Sequence, residues 1–143
     1  MWIIYALSAS IFWGMTYVLN EEIYKKISFT TSLAVASFVI FIIMTIVSYL
    51  NNTLKTDLIS IMSSKKTFFF VFAGILALLI AEVFIGLSIT HKSAVLAGLV
   101  EISYPIFIAL FSYLLFKNQI SVPTIVGAVF IFGGIFITYY FNK

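Results

Sequence analysis

The sequence predicts an all-α membrane protein, a bundle of five transmembrane helices, and three observations carry that prediction. First, the 143 residues are 63% hydrophobic and only 9% charged, against about a quarter charged in an ordinary soluble domain. A soluble chain this short leaves much of its surface wet and has nowhere to hide so much apolar area. Lipid is the solvent that accepts it. Second, the charges divide the chain into five apolar runs, each close to the roughly 20 residues that a helix needs to cross about 30 Å of hydrocarbon. Third, these runs lack the alternation of a membrane barrel and exceed the length of its strands, which leaves helices.

The first run predicts a helix over 2–20. It resembles a signal peptide in position only: it has no basic leader, its apolar run is long, and four similar segments follow, so it reads as a retained helix. Ser10, Trp13, Gly14 and Tyr17 share one stripe of it, which Asn20 continues. Trp13 lies too deep to anchor at the interface. Its indole N–H therefore needs a partner or water, unless the ring is simply packed in the core. The second helix is expected over 28–50. The segment 51–66 is the one long connection, and within it Leu54, Leu58, Ile61 and Met62 form an apolar stripe opposite Lys55, Ser60 and Ser63. This pattern predicts a short helix over 52–64 lying in the membrane interface, with a polar loop as the alternative.

The third and fourth helices, over 67–90 and 94–116, form a hairpin that turns at His91 and Lys92. The fifth runs over 121–141. Pro123 falls in its first turn, where a missing N–H costs little, and Ser121 is placed to cap it. Gly14, Gly98, Gly127, Gly133 and Gly134 read as positions of close helix packing. Tyr17, Tyr24, Tyr49, Tyr113, Tyr139 and Tyr140 fall near span ends, as interfacial aromatics do. Residues 1–143 thus read as a single transmembrane domain.

Composition excludes several functions. Without cysteine there is no disulfide, thiol nucleophile or cysteine metal site. His91 is the only histidine and lies in a loop, so neither a metal site nor a catalytic dyad has its partners. No cofactor, no metal and no enzymatic activity are expected. The net charge of +3 comes from scattered lysines, whereas a nucleic-acid binder gathers its basic residues on one face. Lys55, Lys65, Lys66 and Lys117 fall on the side of the N-terminus, and Lys25, Lys26, Lys92 and Lys143 on the other. The count is even, so the positive-inside rule sets no orientation. Either insertion history fixes one orientation or copies insert both ways.

Two charged residues stand inside predicted spans, Glu82 and Glu101. An intramembrane carboxylate costs about 2.5–3.5 kcal/mol on insertion scales and marks a functional site by default. Glu82 lies nine residues before His91 and Glu101 nine after Lys92. At about 1.5 Å per residue both sit roughly 14 Å below the turn, at one depth near the middle of the hydrocarbon. If they meet, the pair can hold a proton or a cation. Alternatively, each is a hydrogen-bond partner that joins helices. Around Glu101, a stripe of Ala94, Ala97, Gly98, Tyr104, Pro105 and Ser112 suits close packing or a water-filled cavity. Glu82 shares a face with Gly74, Leu78 and Gly86. Pro105 has no N–H to give the carbonyl of Glu101 and predicts a kink there. Glu82, Glu101, Tyr104, Pro105, Trp13 and Tyr17 are therefore the candidate solute- or proton-binding residues.

At these residues the chain resembles the EamA-domain family of the drug/metabolite transporter superfamily. Segment 11–18, IFWGMTYV, is similar to the family's tryptophan–glycine segment. The better match begins at Gly86: a small-residue fourth helix, the Tyr104-Pro105 pair, a short turn, then Gly127 and Gly133-Gly134. The family usually has a glutamate just after the fourth helix, where this chain has Asn118, which can still cap the turn. The small multidrug resistance type fits less well, since its chains have four helices and a glutamate in the first. The EamA resemblance implies one five-helix half of an inverted-repeat transporter. Such a protein would export a small metabolite or drug-like solute by alternating access, with proton coupling through the glutamates. It would sit in the cell membrane as a multi-pass protein, as an antiparallel homodimer or paired with a homologous half. The alternative is a non-transporting membrane subunit that packs with a partner.

Overall fold

The structure, a computed structural model, describes residues 1–141. Lys143, counted in the lysine balance, and Asn142 lie outside the described residues. Among the described residues seven helices follow in chain order: α1 (Trp2–Tyr24), α2 (Phe29–Leu50), α3 (Leu54–Ser63), α4 (Lys65–His91), α5 (Ala94–Glu101), α6 (Tyr104–Phe116) and α7 (Val122–Phe141). Among the described residues there is no strand. Five segments are long and apolar enough to cross a membrane: α1, α2, α4, α5 together with α6, and α7.

Three of the differences from the hydropathy reading have a clear local reason. α1 runs on to Tyr24, because Glu21 and Glu22 are good helix formers and Glu22 pairs with Lys25 at 2.5 Å. α4 begins at Lys65, since the Ser64 hydroxyl accepts from the Thr67 amide at 3.2 Å and caps its first turn. The expected continuous helix over 94–116 is interrupted at Ile102 and Ser103. Pro105 cannot donate to the Glu101 carbonyl, and its ring crowds that turn, so the helix stops and restarts. Pro105 becomes the second residue of α6, where no N–H is required.

The chain forms two compact units, Met1–Glu21 with His91–Lys143, and Glu22–Thr90. In the first, α7 packs against both α5 and α6. α5 buries its small residues: Ala94 is 2% exposed and Ala97 3%. Lys117 closes α6 in the left-handed region at φ 59°, and Asn118 donates to the Ser112 hydroxyl at 2.8 Å. The Ser121 hydroxyl accepts from the Thr124 amide at 3.4 Å and opens α7.

In the second unit, the Ser28 hydroxyl caps α2 by accepting from the Thr31 amide at 3.3 Å. Phe29 lies against Gly86 of α4 so closely that a Cβ there would come within 2.7 Å of the ring. Asn52, at φ 58°, turns the chain from α2 into α3, and α3 contacts α2. Asparagine is one of the few residues that visits this region readily.

Span hydroxyls are satisfied locally, as hydrocarbon demands. Ser10 donates to the Ala6 carbonyl at 3.1 Å, Thr16 to Phe12 at 2.9 Å and Thr45 to Phe41 at 2.7 Å. α2, α6 and α7 hold no buried residue, and their large apolar side chains point outward. Such a surface suits lipid and would aggregate in water.

Candidate functional site

Tyr17, on the α1 stripe read from the sequence, meets α5. Tyr17 is buried, and its phenol donates to Oε2 of Glu101. Gly98, one turn before Glu101, makes that reach possible. A Cβ at Gly98 would lie 3.1 Å from the Tyr17 ring, so a larger residue would push the phenol off its line to the carboxylate. Trp13 packs its ring edgewise on Tyr17, with centroids 6.0 Å apart and planes at 63°. It remains 52% exposed, so it flanks the site and is not a packed core residue.

One turn beyond Tyr17, Oε2 of Glu21 accepts from the Ala94 amide at 2.7 Å. The Ser93 hydroxyl accepts from the Leu96 amide at 3.3 Å. Between them, these two groups satisfy amides that the start of α5 cannot pair internally, and the Glu21 charge faces the positive end of that helix. Residue 17 pairs with 101 and 21 with 94, so α1 and α5 run antiparallel and are joined at two levels. Each helix contributes one carboxylate.

The chemistry follows from the donors. A phenol that donates to a carboxylate makes a charge-assisted bond. A carboxylate has about four acceptor positions, so Glu101, which is exposed, retains acceptor capacity for a proton or an ammonium group. Tyr104 and Pro105 stand just past the break that follows Glu101, Tyr104 exposed and Pro105 half-buried.

Glu82 belongs to the second unit. It is half-buried on α4, one turn before Gly86. Of the glycines expected to pack, Gly98 makes close contact. Among the described residues, a Cβ at Gly14, Gly127, Gly133 or Gly134 would meet nothing within 4 Å. Tyr17, expected among the interfacial aromatics as well as on the stripe, is buried.

Sequence reasoning missed Glu21. Its signal was present, since it lies one turn beyond Tyr17 on the same stripe, but a charge at a span edge reads as ordinary solvation. The model of the EamA-like transporter family matches residues 1–140. No curated protein and no solved structure matches the chain.

Proposed function

The chain belongs to the EamA-like transporter family, and from that premise we propose that it carries a small solute by alternating access, with Glu101 and Tyr17 on the solute path. Family and apolar helices together make it a multi-pass membrane protein. The observation that supports the finer reading is the Tyr17–Glu101 hydrogen bond between α1 and α5. A proton or an amine-bearing solute that reaches Glu101 competes with the phenol for the same carboxylate. Occupancy then changes what holds α1 to α5, and differential contact with two helix arrangements is what alternating access requires. The broken helix beside Glu101 resembles the discontinuous helices from which many transporters build their sites.

Glu82 is the second acidic group on the proposed path. The other half of the transporter is a second copy of opposite orientation, or a homologous half, with the solute path at their interface. The balanced lysines permit both orientations. Export across the cell membrane is the direction and place proposed.

A thermal-shift panel of amino acids, amines and lipophilic cations in detergent tests the site. A ligand of the folded state raises the melting temperature with its concentration. The expected result is a shift that Glu101→Gln abolishes and Tyr17→Phe alters. Undiminished shifts in both variants would remove these residues from the site. The alternative, a non-transporting subunit, draws support from the open glycine positions of α7. Purification as a stable heteromer without flux in proteoliposomes would favour it.

A further inference from the structure

The α2–α4 connection carries a feature that solute transport does not use. α3 lies against α2, and its Leu54 and Ile61 are half-buried. Leu58, Ile59 and Met62 remain exposed, Met62 at 84%. At about 100° per residue these three span an arc of roughly 100°. Lys55 falls inside that arc, between Met62 and Ile59. Lys55, expected opposite the apolar stripe, is set by the helical spacing of α3 beside Met62 instead. Because the inner edge of that stripe is half-buried, the exposed sector shifts to centre near Lys55.

Charge around this sector is one-sided. Lys65 and Lys66, both exposed, begin α4 within four residues of Met62. The one acid of α3, Asp57, lies on the opposite flank. The Lys66 ammonium stands 5.9 Å from the centre of the Phe70 ring, against the first turns of a span. That is where hydrocarbon gives way to headgroups.

We infer that α3 and the start of α4 form a docking surface for an anionic phospholipid leaflet. Leu58, Ile59 and Met62 enter the acyl boundary, as the apolar face of an interfacial helix does. Lys55 lays its stem among them and raises its ammonium to the phosphates. Lys65 and Lys66 extend the same basic surface. A neutral leaflet accepts the apolar side chains equally well but leaves three lysines without a countercharge. Near an anionic surface each lysine changes the partition about fivefold.

The chain has no cysteine, so Met62→Cys can carry a single environment-sensitive fluorophore in the full-length protein. The labelled protein is reconstituted into phosphatidylcholine vesicles with or without phosphatidylglycerol, and aqueous acrylamide quenching is read. The expected result is severalfold weaker quenching with phosphatidylglycerol, reversed by high salt. Replacing Lys55, Lys65 and Lys66 by Gln also reverses it, while a label at Ser60→Cys, on the other flank, stays accessible throughout. Equal quenching in both lipids overturns the inference. So does a phosphatidylglycerol effect that survives salt or the triple substitution, or one that protects Ser60→Cys equally.

Discussion

Tyr17 is the residue on which the site turns, because it is the buried residue of α1 and its phenol donates to the carboxylate of α5. Its replacement by Phe keeps the ring against Gly98 and deletes one interhelical hydrogen bond. Such bonds in membranes contribute on the order of 1 kcal/mol, so Tyr17→Phe should lower thermal stability slightly and leave the protein folded. Gly98→Val should do more, since its first carbon already falls 3.1 Å from the Tyr17 ring. The phenol is displaced, and ligand-induced stabilisation should fall with it in the same thermal-shift experiment. In the second unit, Gly86→Ala places a carbon 2.7 Å from Phe29. Overpacking of that kind costs about 1–3 kcal/mol, and a lowered melting temperature would register it. Glu101 was legible in the sequence because a charge inside an apolar run has no ordinary explanation. That its partner is Tyr17 was not, since 84 residues separate them and only tertiary packing brings them together.

At the scale of elements, hydropathy located the spans well but could not see inside one. Residues 94–116 are apolar throughout except for Glu101, so their composition is that of one helix. Whether Pro105 kinks that helix or restarts it depends on backbone geometry at Ile102 and Ser103, which hydropathy does not encode. Pro105→Ala supplies the missing N–H and should fuse α5 with α6. Hydrogen exchange at residues 102–105 should slow, and solute flux should fall as the segment loses its joint. Glu21 controls the other end of α5. Glu21→Ala removes the acceptor for the Ala94 amide, a loss comparable to that of a helix cap at about 1 kcal/mol. Exchange of the first α5 amides should accelerate about fivefold, while Glu21→Gln, which keeps an acceptor oxygen, should exchange less rapidly than Glu21→Ala.

For the whole molecule, the fold class follows from solvent: every long run of this chain is more stable in lipid, and the family match over residues 1–140 agrees. What the sequence could not supply is the arrangement of the polar groups, because charge at span edges and small residues on span faces are common to all membrane helices. Gly127, Gly133 and Gly134 illustrate this. They read as packing positions, yet nothing among the described residues lies within 4 Å of a side chain placed there. Under the proposed pairing with a second half, Gly134→Leu should leave the single chain folded while reducing crosslinked dimer in vesicles. The central claim concerns Glu101. The most direct measurement is flux, in proteoliposomes, of a solute that stabilises the wild-type protein, compared among wild type, Tyr17→Phe and Glu101→Gln. The account predicts flux in wild type, altered flux in Tyr17→Phe and less than about a tenth of it in Glu101→Gln, a loss of over 1.4 kcal/mol. Wild-type flux in Glu101→Gln would contradict it.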